Sequence, residues 1–256
     1  MAAAASGDPR FDTGRLCLDL VATAAGPPRG PGERVEPAER LDGPERLGVW
    51  LVRSGLVPPG TALAADQDWL DRFRELRELL RRLVRAQLDG APADPAETPG
   101  PGSGPGSGSG PAPASSLGPD LDRLNALAAP APSVISAVPG RDGTLVRALD
   151  GGPGCAALLS DIARDAIRLL TDPVARGRLR ECEGDSCSRV YLDTSRGRRR
   201  RWCSSEICGN RERVARHRRR STARRSRPSA ATRSSSAPGA TTTAATTATA
   251  TASGQS

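Results

Sequence analysis

The residues best suited to chemistry in this 256-residue chain are its cysteines. There are six, and four fall in one short stretch, spaced Cys182-x4-Cys187-x15-Cys203-x4-Cys208. Two close pairs about 15 residues apart is the spacing of a structural zinc site. The reason is geometric. A tetrahedral ion needs four thiolates at about 2.3 Å; each close pair supplies two from one tight turn, and the residues between bring the turns together. In a reducing compartment such a cluster favours metal over disulfides. The competing reading is four free thiols in a partly unfolded basic segment. The expectation is one zinc ion per chain, held by Cys182, Cys187, Cys203 and Cys208. Cys17 and Cys155 lie far away in sequence and read as small buried apolar residues.

A closed thiolate shell leaves no position for an activated water, which argues against an enzyme. His217 is the only histidine. It sits inside a basic run nine residues after Cys208, so no Ser/His/Asp set can be built on it, and a surface or phosphate-contacting role suits it better. No Gly-rich phosphate loop ends in Lys, because the chain has no Lys at all. Asp12, Arg15 and Asp19 are polar groups in an apolar segment and read as local caps or pairs.

The cysteines need a frame. Arg189-Val190-Tyr191-Leu192 has strand character, Asp193 to Gly197 has turn character, and Arg200-Arg201-Trp202 is expected to return as a second strand. Ser204 or Ser205 suits a helix cap, with Glu206 in the first turn. That helix is expected to run to about Arg220, with Ile207, Val214 and Ala215 packing on the hairpin. Knuckle, hairpin and helix around one ion resemble a treble clef. Fifty residues with so few apolar groups need the metal in order to fold.

The surface of this frame is basic. Residues 178–227 carry a net charge of +11, whereas residues 1–177 carry −4. Such a contrast points to a polyanionic partner for the second part. The candidate contacts are Arg198, Arg199, Arg200 and Arg201 before Trp202, then Arg211, Arg213, Arg216, His217, Arg218 and Arg220 on the helix. Arg213, Arg216 and Arg220 share one helical face, and Arg211 and Arg218 share another. Guanidinium groups contact phosphates or pair bidentately with guanine. Duplex DNA is the first reading of the partner. Structured RNA is the second, although Tyr191 and Trp202 are the only aromatics at hand for stacking. An acidic protein bound by a zinc-stabilised interaction module is the third.

The rest of the chain positions little chemistry. Gly (28) and Pro (23) are in excess, so linkers and tails take up much of the length. With six aromatics the core must rest on Leu, Val, Ile and Ala, which favours helices. Residues 11–23 read as a short strand or a helical turn. Pro44 starts a helix with Leu47, Trp50 and Leu51 on one face, stopped near Gly55. Residues 66–88 form the clearest helix, with Leu70, Phe73, Leu76, Leu80, Leu83 and Val84 as its stripe and Glu78–Arg82 as an ion pair. Pro119 opens a helix with Leu121, Leu124 and Leu127 inward. Residues 133–138 and 144–149 flank a Gly-Arg-Asp-Gly turn and suggest a hairpin. A helix over 155–170 follows, and Asp172-Pro173 starts a short one. The expected organisation is a mainly α domain with a small β-hairpin over 8–177, with a flexible Gly/Pro/Ser insertion at 90–117. A treble-clef-like zinc finger follows at 178–222, and then a disordered tail at 223–256. No apolar run approaches the roughly 18 residues that span a bilayer, and the start has no secretory pattern, so a cytoplasmic location is expected.

The motif C-x4-C-x-x-V-Y-L-D-T-S-R-x-x-R-R-R-W-C-S-x-x-x-C-G-N-R, ending in Arg-His-Arg-Arg-Arg, resembles the CGNR zinc finger, named for Cys208-Gly209-Asn210-Arg211. In that family the finger follows a helical ABATE domain, and Phe11 to Thr23 with the next two helices is similar to its opening. The resemblance implies a bacterial, nucleoid-associated regulator of stress transcription that binds DNA. Its N-terminal domain would sense a small-molecule effector or mediate association, for example as a homodimer. Two positions depart from the family pattern: Ser188 stands where Gly is common, and Ala22-Thr23 where an Asn-Thr pair is usual.

Overall fold

The structure is a computed structural model, and it describes residues 10–24, 39–90, 117–184 and 187–225. The core of the expected insertion and nearly all of the expected tail lie outside the described residues. The chain forms two compact units, Met1–Ala215 and Arg216–Ser256.

In the first unit, α1 (Leu16–Val21), α2 (Pro44–Arg53), α3 (Gln67–Asp89), α4 (Gly118–Ala128) and α5 (Cys155–Thr171) build one apolar core. The long α3 touches all four others. Its start is set by Asp66, whose carboxylate accepts from the Trp69 N–H. Leu70, Phe73, Leu76, Leu80 and Leu83 then fall on one buried stripe, each contributing roughly 1.5–3 kcal/mol by its burial. Trp50 of α2 is fully buried between Phe11 and Phe73, with ring centroids at 6.1 and 6.4 Å. The segment 11–23 resolves as α1, with no strand. α4 buries Leu124 and Ala128 and leaves Leu121 exposed, contrary to the expected stripe, because α4 packs mainly on α5 through one i, i+4 pair. Arg82 pairs with Asp120 of α4 at 2.7 Å, and Glu78 pairs instead with Arg81, also at 2.7 Å.

The hairpin is present as β1 (Ile135–Pro139) against β2 (Leu145–Leu149), antiparallel, with Ile135 opposite Leu149. After the short α6 (Pro173–Arg176), capped by Asp172, the chain forms β3 (Leu179–Glu181) and β4 (Val190–Leu192). These two strands pair antiparallel, Leu179 opposite Leu192. The expected partner of β4 was 200–202, which forms no strand. Cys182 and Cys187 therefore lie in the loop that joins two paired strands. The segment 200–203 runs against Cys182 and Glu183: Glu183 N–H donates to Arg201 O (2.9 Å) and Cys203 N–H to Cys182 Sγ (3.3 Å).

β4 has two faces, as strand alternation requires. Val190 and Leu192 pack into the helical core, whereas Tyr191 is fully buried among the cysteines. Leu192 N–H donates to Thr13 O at 2.8 Å, so the segment before α1 lies along β4. Gly14 permits this approach: its φ is +88°, and a Cβ there would meet Leu192 Cβ at 3.4 Å. The boundary near residue 177 thus falls inside the first unit. The last helix, α7 (Cys208–Arg225), passes from the first unit into the second and extends five residues beyond the expected end. Among the described residues, no helix is long and apolar enough to cross a membrane.

Candidate metal centre and basic surface

The four cysteine sulfurs all lie within 4.8 Å of one another. Cys187 Sγ is 3.7 Å from Cys203 Sγ, and Cys203 Sγ is 3.5 Å from Cys208 Sγ. A tetrahedron with metal–sulfur bonds of about 2.3 Å has sulfur–sulfur edges of about 3.8 Å, so the site fits one zinc ion. Cys182, Cys203 and Cys208 are buried and Cys187 is half-buried. Hydrogen bonds from Cys187, Cys203 and Cys208 hold the Cys182 thiol far below the ordinary thiol range. For Cys187 the bond with Cys182 raises the pKa and those with Cys203 and Cys208 lower it, to about 7. Contacts with Cys182 and Cys187 push Cys203 and Cys208 up. A metal takes its cysteine ligands as thiolates, so binding of a divalent ion here releases protons.

Local structure accounts for each ligand's place. Cys182 N–H donates to Arg189 O (2.9 Å), which closes the first knuckle, and Cys187 N–H donates to Gly184 O (3.0 Å). A Cβ at Gly184 would meet Cys182 Sγ at 3.6 Å and the Cβ atoms of Cys187 and Cys208 at 3.5 and 3.7 Å. The turn at 193–200 is closed by Asp193, which is buried and accepts from Ser195 N–H (2.9 Å) and Arg200 N–H (3.1 Å). Burial opposes its charge, but those bonds hold its carboxyl below the usual range. Ser204 Oγ accepts from Ile207 N–H (3.3 Å) and Ser204 O from Gly209 N–H (2.9 Å), so Ser204 caps the turn that leads into α7, whose first backbone bond runs from Arg211 N–H to Ile207 O (2.9 Å). Gly209 lies so close to Trp202 that a Cβ would sit 3.3 Å from the indole. The roles of Gly184, Asp193 and Gly209 depend on contacts across the loop that spacing does not reveal.

The ten candidate nucleic-acid contacts divide by environment. Arg200 is turned inward: its guanidinium lies 4.7 Å from the Tyr191 ring centroid and donates to Trp202 O (2.9 Å) and to Cys203 O. It braces the knuckle, a correction to its assignment as a surface contact. Arg201 is exposed, pairs with Glu183 at 2.6 Å and covers the Trp202 ring. Arg213 is exposed and donates to Gly209 O and Ser205 O. Arg198, Arg199 and Arg211 are exposed, with Arg198 in a left-handed backbone conformation (φ 50°). In the second unit, Arg216, His217, Arg218 and Arg220 are all exposed on α7. Ile207 and Val214 are each 43% exposed and do not pack on the hairpin as expected. The finger instead fills its core with the four cysteines, Tyr191 and Trp202.

Of the polar groups in this segment, Arg15 and Asp12 reach far in sequence, whereas Asp12 and Asp19 also pair locally as expected. Arg15 pairs with Asp165 at 3.0 Å, and Asp12 with Arg189 at 3.2 Å and with Arg10. Asp19 is buried and accepts from Thr13 Oγ1 (2.8 Å) and Thr13 N–H (3.3 Å). Burial pushes its carboxyl up to about 6, against the pull of those bonds and with a further push from Asp12. Because the folded state holds this proton more tightly than the unfolded one, Asp19 erodes stability as pH rises from about 4 through 6. Asp19→Asn keeps an acceptor for Thr13 and removes the buried charge. Relative to the parent, it is expected to gain up to about 2–3 kcal/mol above pH 7, to keep about half of that at pH 5 and to lose it by about pH 4. Denaturant midpoints of both proteins across that range check the sign; a parallel pair of curves counts against it.

A model of the ABATE family, described as "Putative stress-induced transcription regulator", matches residues 14–173. A model of the CGNR zinc finger matches residues 178–221, which contain all four cysteines. Comparison with curated proteins gives no match. With more than half of its length matched by the first model and its metal centre by the second, the chain belongs to the ABATE family and carries a CGNR zinc finger.

Proposed function

We propose that the chain is a DNA-binding transcription regulator that works by binding, not catalysis. The observation that carries this reading is the exposed arginines of the finger, Arg198, Arg199, Arg211 and Arg213, set on a metal-pinned frame. In the second unit, the exposed Arg216 and Arg220 are by themselves suited to phosphate contacts. Arg211 lies in the first turn of α7 next to the exposed Asn210, which has the donor and acceptor needed to read adenine. The four-thiolate shell offers a metal no open position, which supports a structural role for zinc. The N-terminal domain serves as sensor or association module, and the strand it shares with the finger gives it a route to the finger's order. Affinity for duplex DNA is expected to fall steeply with salt. Arg216→Ala/Arg220→Ala is expected to weaken binding about tenfold or more at low salt and to flatten the salt slope. Gel shifts of the zinc-loaded protein with duplex DNA, and with RNA as competitor at matched salt, test this. Preference for RNA, or no shift at low salt, overturns it.

A further inference from the structure

The β1–β2 hairpin has no part in the metal centre or the basic surface. Its base is held: Ser133 N–H donates to Asp161 Oδ2 (3.3 Å), Leu149 packs on the helical core and Arg147 donates to Gly55 O. Much of the rest is bare. Leu145 is 76% exposed and Ile135 61%, and Val134, Val138 and Val146 are exposed as well. These are five of the ten large apolar side chains exposed among the described residues, gathered on one ribbon. Together they show an apolar area on the order of 400 Å², a size that on single proteins often marks an interaction site. A two-stranded ribbon is also marginal by itself in water and gains from further strands.

The backbone shows which edge can take one. Asp150 N–H donates to Val134 O (3.0 Å) and Gly140 N–H to Thr144 O (2.6 Å). By alternation, the bonds inside the hairpin join Ser136 to Ala148 and Val138 to Val146. The outward positions are therefore Ile135, Ala137 and Pro139 on β1, and Leu145, Arg147 and Leu149 on β2. Pro139 has no N–H, which blunts the β1 edge. The β2 edge keeps every donor and acceptor, and its one charge, Arg147, is taken up by Gly55 O. No third strand pairs with either edge among the described residues. The segments outside the described residues carry only Met1 and Val35 as large apolar side chains, so they are poorly suited to cover this ribbon.

We infer that β2 is a dimerisation strand: two copies of this chain join their β2 edges antiparallel and make one four-stranded sheet. The inference rests on the reading of the N-terminal domain as an association module, not on DNA binding. A two-fold seam sets the residue on its axis against its own copy. Leu145, Val146 and Arg147 are exposed, whereas Ala148 and Leu149 are half-buried, which places the axis towards the hairpin tip. An axis at Arg147 would set two guanidiniums face to face. At Val146 the seam is apolar, and the main chains of Leu145 and Arg147 exchange hydrogen bonds across it.

Sedimentation velocity of the zinc-loaded parent, from low micromolar to several hundred micromolar, is expected to show a monomer–dimer equilibrium. A Kd of about 10–100 µM suits a contact at the small end of specific interfaces. Val146→Lys sets two charges on the axis and is expected to raise Kd about tenfold or more. Leu121→Lys, on an exposed site of α4, is expected to leave Kd unchanged. Both positions are exposed, so both variants are expected to melt with the parent. If Val146→Lys melts early, Val146→Cys decides. Directly opposed residues of this kind have Cα atoms about 4.5 Å apart, so a short bismaleimide is expected to join Val146→Cys chains far faster than Leu121→Cys chains. A parent that stays monomeric throughout overturns the inference and homodimeric association with it. A dimer that Val146→Lys weakens less than threefold, or equal cross-linking of the two cysteine variants, overturns the β2 seam alone. Gel shifts with DNA are read separately from both.

Discussion

Cys203→Ser is expected to take zinc from one per chain to near zero and to lower the melting temperature of the whole first unit. Cys203 is fully buried, and its sulfur faces those of Cys187 and Cys208 at 3.7 and 3.5 Å. A serine hydroxyl is not a thiolate and leaves three ligands on an ion that needs four. Structural zinc contributes about 10–16 kcal/mol to folding in small fingers at neutral pH, and the finger here has little else inside it. The effect does not stay in the finger. Val190 and Leu192 pack in the helical core from the same strand that presents Tyr191 to the cysteines. Loss of order in β4 therefore withdraws two side chains and the Leu192–Thr13 hydrogen bond from that core. About 3 kcal/mol is a conservative cost, which corresponds to about 6–12 °C in a body of this size. Metal analysis and calorimetry with and without chelator read both effects. A chelated protein whose helical core melts as before would show that the strand does not couple the two parts.

Arg77→Met is the second large effect. Arg77 sits in the middle of α3 and is 5% exposed. Its guanidinium donates to both Glu39 carboxylate oxygens at 2.7 Å and to Thr23 Oγ1 at 3.2 Å. Thr23 in turn donates to Leu20 O and accepts Arg40 N–H on its carbonyl, so one residue ties α3 to the end of α1 and to the segment before α2. This also gives Thr23 a definite role beside Ala22, in the pair where the family pattern departs. Removing one partner of a buried ion pair costs about 3–5 kcal/mol, and the lower end applies because Glu39 is one third exposed. Although burial opposes it, the Arg77 pairing holds the Glu39 carboxyl below its ordinary value of 4.5. The stabilisation is therefore present above about pH 4.5 and is lost as pH falls through the lower folded value. Urea midpoints at pH 7.5 are expected to separate the variant from the parent by about 3 kcal/mol. A difference under 1 kcal/mol would mean that the pair contributes no more than an exposed one.

Short-range physics was legible before any coordinates were known. Cysteine spacing announces a four-thiolate site because close pairs on tight turns are a local property. The long α3, the cap at Asp172 and the β1–β2 turn follow from period, capping chemistry and turn residues. The pairing of β4 was not legible, since Leu179–Glu181 and Arg200–Trp202 are both short and of similar character. The choice fell to burial: only the first puts Leu179 and Leu192 together in the helical core. Composition showed how much positive charge the finger carries but not which arginines face solvent. Arg200 turns in because Tyr191 and two carbonyls are waiting there. Contacts between residues 150 or more positions apart, such as Asp12 with Arg189 and Arg15 with Asp165, leave no periodic trace along the chain. Asp12 meets Arg189 because one three-residue strand is shared by two cores, and Arg15 meets Asp165 because α1 packs on α5.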